Sequence, residues 1–323
     1  MSTTKILFTG AYVPQNVVTN EALSEVVETN DEWIRSRSGI GQRHFSEGEN
    51  TSILAAKAAK NILKKGNIDP NTIELIIVAT VSADYSTPST ACLVQAEIGA
   101  MNAVAFDVNA ACSGFIFGLS TADKFIKSGI YKNAIVIGAE VLSKYLDFND
   151  RGTSVLFGDG AGGVYLEAAE QGGILAEEMG SDGTKGLSLT SGGRLASNPW
   201  NDVDSFGDVC LHMDGRAVFE FATKKTPQCI KNLMEKANIS GKDLKYIIPH
   251  QANIRIVEII SRKLKIPMEK FYTNLFYYGN TSSATIPIAL HEMMEKGLLE
   301  TGDKILMAGF GGGLTWGGML IEI

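Results

Sequence analysis

The sequence lacks several features that would assign it to a particular class of protein. It has four cysteines in 323 residues and no C-x-x-C spacing, which argues against a disulfide framework or a structural zinc site. No apolar run approaches the length of a membrane span, and the opening stretch MSTTKILFTGAYVPQN is interrupted too early for a signal peptide. We therefore expect a cytoplasmic protein with reduced thiols at Cys92, Cys112, Cys210 and Cys229.

Positive charge is also scarce. The chain has 29 Lys and Arg against 36 Asp and Glu, a net charge of −7, so we expect neither nucleic acid nor a membrane as a partner. An anionic partner would have to meet a local basic patch. The stretch ANIRIVEIISRKLKI (252–266) offers one, because its basic residues recur at helical spacing. The alternative is an ordinary solvated helix face.

What the sequence does contain is typical of a folded α/β protein. Apolar residues make up 45% of the chain and charged residues 20%. Near-continuous apolar runs alternate with helical stretches, as expected for strands that are buried on both faces. We predict strands at 75–81, 133–140, 246–250 and 304–310, and a helix at 51–66 with Thr51 or Ser52 as its cap and Gly66 at its end.

A weak internal repeat predicts that the fold is duplicated. NIDPNTIELIIVATV from Asn67 lines up with NISGKDLKYIIPHQA from Asn238, and AIVIGA (134–139) lines up with KILMAG (304–309). Aligning Gly129 with Gly297 then places Cys112 opposite Asn280, at equivalent helix starts. A pseudo-twofold fold would bring two such helix starts together.

Three residues are candidates for chemistry. Cys112, in DVNAACSGF, lies at a helix start, where the helix dipole favours a thiolate and lowers the thiol pKa. The alternative is a small buried residue. His250 follows an apolar run, and active-site groups of α/β folds gather at such strand ends, although a histidine with a structural hydrogen bond would look the same. Asn280, in YYGNTSSAT, could simply cap a helix.

Two glycine-rich stretches need separate interpretations. FGDGAGG (157–163) contains G-x-G-x-x-G, but VYLEA follows it and predicts a strand, where a dinucleotide site requires a helix. GFGGGLTWGGMLIEI (309–323) lacks the G-K-[ST] of a phosphate loop. Its successive glycines predict a close approach of the backbone to a reacting centre, with N–H groups available to an oxyanion.

Together, AACSGF, PHQAN and GNTSSAT resemble the Cys, His and Asn segments of the β-ketoacyl-acyl-carrier-protein synthase III family, within the thiolase superfamily. The resemblance extends from DEWIRSRSGI (31–40) through DRGTSVLFGDGAGG (150–163) to FGGGLTWGG (310–318). It implies a homodimer with a thiolase-like five-layered αβαβα fold, built from two pseudo-twofold-related halves. Residues 1–170 would carry Cys112, and residues 171–323 would carry His250 and Asn280.

The same resemblance implies a ping-pong, decarboxylative Claisen condensation that initiates fatty acid synthesis. Cys112 would take the acyl group from an acyl-CoA, with the N–H groups of Cys112 and Gly312 as the oxyanion hole. His250 Nε2 and the Asn280 amide would then stabilise the enolate formed from malonyl-acyl-carrier protein. No metal or organic cofactor is implied. An asparagine at position 280 is typical of the initiating enzymes, because the elongating ones have a second histidine there.

The resemblance also assigns the substrate contacts. The residues implied to bind coenzyme A and phosphopantetheine are Trp33, Arg37, Ser38, Arg151, Phe219, Asn253 and Arg255. The acidic carrier would dock on Arg255, Arg262 and Lys263. The acyl pocket would be lined by Thr87, Leu142 and Phe157.

Two positions depart from the family's pattern. Glu220 stands where we expect a lysine, which puts the strength of carrier docking in doubt. Thr87 stands where many relatives carry a bulky residue that closes the partner subunit's pocket, so we expect acyl groups larger than acetyl, branched or medium-chain, to be accepted. Residues 188–204 match no pattern that we can assign.

Three alternatives remain at this point. A condensing enzyme of secondary metabolism that uses acyl-CoA would keep the same three residues and differ in its extender. A cysteine-dependent thioester hydrolase would use Cys112 and His250 as nucleophile and base, and Asn280 to orient the base. A non-catalytic dimeric scaffold would give the three residues no reason to occur together.

Overall fold

The structure, a computed structural model, describes residues 3–201 and 208–323. The strands in these residues are β1 (Thr3–Tyr12), β2 (Val17–Thr19), β3 (Gln42–His44), β4 (Leu75–Ala79), β5 (Val104–Val108), β6 (Asn133–Glu140), β7 (Gly160–Ala169), β8 (Gly173–Ser181), β9 (Leu189–Thr190), β10 (His212–Met213), β11 (Tyr246–Pro249), β12 (Lys304–Gly311) and β13 (Thr315–Glu322).

The α-helices of the same residues are α1 (Asn20–Leu23), α2 (Asp31–Ser38), α3 (Thr51–Gly66), α4 (Thr90–Ile98), α5 (Gly114–Lys127), α6 (Gly215–Lys236), α7 (Ile254–Leu264), α8 (Leu275–Tyr278) and α9 (Thr285–Glu295). Two short 3₁₀ turns, Ala111–Ser113 and Ser282–Ala284, directly precede α5 and α9.

Two mixed sheets form the centre of the molecule. The first has the strand order β1-β7-β6-β4-β5, and the second has the order β8-β13-β12-β11. In each sheet the strands at one end of the order pair in parallel, β5 with β4 and β4 with β6 in the first and β11 with β12 in the second. The remaining strands pair antiparallel. A parallel bridge from Ile247 to Phe271 extends the second sheet beyond β11. The recurrence of order and direction confirms the predicted duplication.

The layers follow from the buried faces. Helices α5 and α9 lie between the two sheets, in a core shared by both. Helices α3 and α4 cover the outer face of the first sheet, and α6 and α7 cover that of the second. The five-layered αβαβα fold is therefore confirmed. The division at residues 170 and 171 stays a prediction, and that boundary lies between β7 and β8.

Two of the sequence predictions need correction at helix ends. Helix α3 spans the predicted residues, but its caps are Asn50, whose Oδ1 accepts from the Thr51 N–H, and Asn67, which has a left-handed φ of 48°. Thr51 and Ser52 are not the caps because their hydroxyls donate to the Ser82 carbonyl and to Asp84 instead.

The predicted pairing of Cys112 with Asn280 is also wrong. Ala111 (φ 46°) and Ser282 (φ 50°) both take the left-handed conformation at the start of their 3₁₀ turns. Two residues before each, an asparagine accepts a hydrogen bond from that N–H: Asn109 from Ala111 at 3.4 Å and Asn280 from Ser282 at 2.8 Å. These features pair Asn280 with Asn109, and Cys112 with Ser283. The alignment on the helix ends was shifted because α5 has 14 residues and α9 has 11.

Among the described residues, no helix combines the length and the apolar character that crossing a bilayer requires.

The fold predicts a strict need for glycine at position 138 in β6. A Cβ built on Gly138 would lie 2.2 Å from the Ser283 carbonyl oxygen, so any side chain must push the 282–284 turn away from the strand. We expect Gly138→Ala to lower the free energy of unfolding by about 1–3 kcal/mol, measured by denaturant titration. Gly183→Ala is the control, because nothing lies within 4 Å of a Cβ there. Equal stability of the two variants would contradict the packing argument.

Candidate active site

Cys112, His250 and Asn280 line one cavity, which we call the first cavity. All three side chains are buried. Cys112 lies in the turn before α5, His250 directly follows β11, and Asn280 lies just before the turn that leads into α9. The fold therefore brings together the three residues that the motifs singled out.

The glycines of β12 allow this convergence. A Cβ on Gly311 would lie 2.5 Å from the Cys112 backbone nitrogen, and one on Gly309 would lie 3.2 Å from the Ser113 Cα. Side chains at these positions would force the Cys112 turn away from the strand. Of the three successive glycines for which a close backbone approach was predicted, Gly311 makes one to Cys112, while the availability of their N–H groups to an oxyanion stays a prediction.

The Cys112 thiol differs from the expectation based on its helix start. Burial raises its pKa to about 12, and the charge of Glu140 acts in the same direction, whereas the Ser282 hydroxyl acts to lower it. The thiol of the free protein therefore keeps its proton at neutral pH. The predicted lowering of the pKa considered the helix dipole alone and omitted the loss of hydration on burial, which acts oppositely.

His250 is held on three sides. Its backbone N–H donates to the Ala308 carbonyl at 2.8 Å, which fixes it beside β12. The imidazole contacts the Phe310 ring edge to face, with 5.1 Å between the ring centroids. Burial lowers the pKa of His250 to about 3, so the ring is neutral at neutral pH.

Thr285 is the hydrogen-bond partner of Nδ1 in that neutral ring. Its Oγ1 lies 2.7 Å from His250 Nδ1 and 3.0 Å from the Ser282 carbonyl oxygen. When the hydroxyl donates to the carbonyl, Nδ1 must donate to Oγ1, and Nε2 is left as a base. When the hydroxyl donates to Nδ1, Nε2 carries the proton and is a donor. One rotating hydroxyl thus admits both tautomers.

The Asn280 amide is oriented by its own turn. Its Oδ1 accepts from the Ser282 N–H at 2.8 Å, and its backbone is bonded to Leu156 and Gly158. With the oxygen engaged, the two N–H groups of the amide are the ones left for a ligand in the first cavity. Asn280 is therefore placed as a hydrogen-bond donor.

A second cavity, of about 430 Å³, opens on the other side of Cys112. It is lined by Cys112 together with two of the residues predicted for an acyl pocket, Leu142 and Phe157, and by Gly312, predicted for the oxyanion hole. Thr87 is exposed and is absent from the lining that the described residues provide. Four of residues 188–204 also line this cavity, namely Leu189, Thr190, Ser191 and Gly193, while 202–204 lie outside the described residues.

The residues predicted to bind coenzyme A lie in two groups. Phe219 and Asn253 line the first cavity, and the Asn253 side chain also caps α7 and donates to the Arg37 carbonyl at 2.9 Å. The Arg151 guanidinium lies over the Trp33 ring, 5.0 Å from its centroid. Ser38 is buried and its hydroxyl already donates to the Ile34 carbonyl, so it offers no free hydroxyl proton.

The predicted basic patch is partly engaged. Arg255 and Arg262 are exposed on α7, while Lys263 donates to the Thr223 carbonyl at 2.8 Å. Glu220, on α6, forms an exposed ion pair with Arg216, with 3.0 Å between Nε and Oε1. The negative charge at position 220 is thus offset locally.

Four side chains around the site were not found from the sequence: Ser282 in the turn before α9, Thr285 at the first position of α9, Phe310 in β12, and Glu140 at the end of β6. The first two stand inside the GNTSSAT motif, so the motif contained them and only their roles were missing. Glu140 accepts from Ser82, Thr80, Ser283 and the Val81 N–H. No local sequence signal marks a carboxyl group as buried under a site.

Residues 3–201 and 208–323 contain no group of three or more His, Cys, Asp or Glu side chains arranged to hold a metal ion.

Comparison with known proteins identifies what the chain is similar to. Residues 106–183 match the family model of 3-oxoacyl-[acyl-carrier-protein] synthase III, and residues 234–323 match the model of its C-terminal part. β-Ketoacyl-[acyl-carrier-protein] synthase III of Clostridium acetobutylicum is 52% identical over 322 residues, which is 100% of this chain and 99% of that protein.

Solved structures give the same result. The crystal structure of 3-oxoacyl-[acyl-carrier-protein] synthase III from Aquifex aeolicus matches with a TM-score of 0.93 and 44% identity, over 99% of this chain and 100% of that chain. The priming β-ketosynthase from the R1128 polyketide biosynthetic pathway matches with a TM-score of 0.92 and 32% identity, over 99% and 96%.

The site predicts that Thr285 controls the reactivity of His250. We expect Thr285→Val to slow the acylation of Cys112 by an acyl-CoA about ten-fold or more, because a buried ring nitrogen without a partner costs about 1–3 kcal/mol. Thr285→Ser is the matched control because it keeps the hydroxyl. Its acylation rate should stay within about three-fold of that of the unaltered chain, since the hydrogen bond to His250 is kept. Equal rates for the Val and Ser variants would exclude this role.

Proposed function

The chain belongs to the β-ketoacyl-[acyl-carrier-protein] synthase III family, the condensing acyltransferases of fatty acid synthesis, and from this premise we propose how its own residues carry out the reaction. The observation that carries the proposal is the convergence of Cys112, His250 and Asn280 on one cavity, with a second cavity behind the thiol.

In the first half-reaction Cys112 accepts the acyl group of an acyl-CoA. His250, in the tautomer with Nε2 free, takes the thiol proton as Sγ attacks the thioester carbon. The N–H groups of Cys112 and Gly312 hold the oxyanion. The bond to the CoA sulfur then breaks, and that sulfur leaves with the proton from His250. The acyl chain occupies the second cavity.

In the second half-reaction malonyl-acyl-carrier protein loses carbon dioxide in the first cavity. The electron pair released from the broken C–C bond forms an enolate, whose oxygen accepts from His250 Nε2–H and Asn280 Nδ2–H. The orientation of the Asn280 amide and the tautomer allowed by Thr285 support these donor roles. The enolate carbon attacks the acyl-Cys112 carbonyl, the bond from that carbon to Sγ breaks, and Sγ leaves as a thiolate that takes a proton from water. The product is a 3-oxoacyl-carrier protein.

This reaction needs only the thioester substrates, with no metal or organic cofactor. We place the adenine of coenzyme A between Trp33 and Arg151, which must separate from their present 5.0 Å stack to admit it, with Arg37 and Arg255 for its phosphates. The pantetheine arm then passes Phe219 and Asn253.

The choice of primer depends on the second cavity. Its volume of about 430 Å³ and the absence of a bulky residue at Thr87 support acyl groups larger than acetyl. Because Thr87 is exposed in the single chain, it can influence a pocket only across a subunit interface, as the proposed homodimer requires. A cytoplasmic location and the dimer stay predictions.

A second candidate is a condensing enzyme of secondary metabolism. The similarity to the R1128 priming ketosynthase favours keeping it, because the same three residues would serve both activities. The two functions differ in the extender molecule, and the next experiment distinguishes them.

The function is tested by following both half-reactions by mass spectrometry. We incubate the protein with single acyl-CoAs of increasing length and branching, locate the adduct, and then add malonyl-carrier protein. We expect an adduct on Cys112, best formed with chains longer than acetyl, that is discharged as a 3-oxoacyl product. Asn280→Ala should keep the adduct and slow its discharge by roughly 10²–10³, the cost of losing one oxyanion donor. Cys112→Ala should form no adduct.

Other outcomes separate the alternatives. Spontaneous loss of the adduct as a free acid would identify a hydrolase, and discharge by malonyl-CoA in preference to the carrier would favour secondary metabolism. Acylation by acetyl-CoA alone would refute the primer hypothesis.

We propose that the acidic carrier docks on Arg255 and Arg262 of α7. Charge reversal at Arg262→Glu should raise the KM for malonyl-carrier roughly ten-fold at low salt and leave acylation by acyl-CoA unchanged, because attraction between opposite charges steers this encounter. Lys64→Glu on α3, an exposed lysine in the opposite outer layer, is the control. The same KM for both variants, or a difference that persists in high salt, would contradict docking by charge.

A further inference from the structure

The Ser282 hydroxyl is a buried polar group without a hydrogen-bond partner of normal geometry among the described residues. Its side chain is 2% exposed, and it lines the second cavity together with Cys112. Buried hydroxyls are almost always paired, so an unpaired one that faces a site of chemistry points to a partner that appears during the reaction.

The position of this hydroxyl is fixed by the backbone on both sides. The Ser282 N–H donates to Asn280 Oδ1 at 2.8 Å, and its carbonyl accepts from Thr285 Oγ1 at 3.0 Å. Its φ of 50° is a conformation that non-glycine residues rarely adopt. Such strain persists only where the surroundings enforce it, and it is concentrated at functional sites. The turn therefore fixes the backbone from which the hydroxyl projects.

We propose that Ser282 is a further catalytic residue, whose Oγ–H donates to Cys112 Sγ when the thiol gives up its proton. This inference rests on the proposed function. The proton of Sγ goes to His250 Nε2, and Ser282 keeps its own, so no bond to Ser282 is made or broken. A thiolate is a strong acceptor and a thioester sulfur is a weak one, so the hydrogen bond favours the attacking form of Cys112 over the acylated form.

The surrounding charges make such a donor necessary. Burial and the carboxyl group of Glu140, at the end of β6, both raise the pKa of Cys112, and Ser282 is the side chain that lowers it. His250, beyond β11, is the other titratable group that lines the first cavity with Cys112, and it is neutral at neutral pH. No fixed positive charge is among the groups that shift this pKa, so a neutral donor is what the site offers to the forming thiolate.

The pseudo-symmetric position supports the assignment. Ala111 takes the same left-handed conformation in the first half, and its N–H is bonded to Asn109 as that of Ser282 is to Asn280. The turn geometry therefore does not require a hydroxyl. Alanine satisfies it, which leaves the serine side chain free for another role.

The test is the pH dependence of Cys112 alkylation by iodoacetamide, with the modified residue located by mass spectrometry. In Ser282→Ala we expect the alkylation rate at any fixed pH between about 7 and 9, where the rate rises with the small thiolate fraction, to fall roughly ten- to hundred-fold, because a hydrogen bond to a charged acceptor is lost. Ser282→Gly is the matched variant, because glycine suits the left-handed backbone and also lacks the hydroxyl.

The two variants must slow alkylation together. A rate unchanged from that of the unaltered chain in either variant, or a slower rate in the Ala variant alone, which would indicate backbone strain, overturns the proposal. Cys229, buried in the second half, reports on folding in the same spectra, since it is alkylated only if the protein opens. If Cys229 alkylation shows that the Ala variant unfolds, the result with the Gly variant alone tests the proposal. Alkylation does not depend on the substrate, so this result stands apart from the acyl-CoA experiment that tests the function.

Discussion

The structure depends on one reciprocal contact: each reactive turn rests on a glycine in the central strand of the other half. A Cβ on Gly138 of β6 would lie 2.2 Å from the Ser283 carbonyl, and a Cβ on Gly311 of β12 would lie 2.5 Å from the Cys112 nitrogen. Both turns can approach the pseudo-twofold axis only because these strand positions lack side chains. The contact fixes how far α5 and α9 enter the space between the sheets, and with it the positions of Cys112 and Asn280.

The sequence predicted the strands well and the turns poorly, for a physical reason. Strands such as 133–140 are buried on both faces, so a continuous apolar run identifies them without knowledge of their neighbours. The pairing of Cys112 with Asn280 failed because helix ends vary freely, whereas the left-handed residues Ala111 and Ser282 are fixed by packing. The three reactive residues were found as motifs, while Thr285 and Ser282 acquire their roles only from hydrogen bonds across the turn.

The sign of the Cys112 pKa shift was wrong for a related reason. A helix start can be recognised in a sequence, but burial of the thiol under β12 and beside Glu140 is a property of the assembled fold. The free protein therefore has no thiolate–imidazolium pair: the Cys112 thiol is protonated, and His250, with its pKa lowered to about 3, is neutral. A neutral thiol is a poor nucleophile, so Cys112 must lose its proton before it can attack.

Because Cys112 and His250 are both neutral at rest, the reaction depends more on groups that stabilise the charges formed during it than on permanently charged groups. Glu140 accepts hydrogen bonds from four donors and stays beneath the site, and burial raises its pKa. One segment sets the donors above it: it contains the Asn280 amide, and its Thr285 hydroxyl is bonded to His250 Nδ1, which follows β11. Because Ser282 bonds to Asn280 through its N–H and to Thr285 through its carbonyl, a movement of this turn would disturb both at once. The 280–285 segment therefore acts as one unit, and its contact with Gly138 sets its position relative to Cys112.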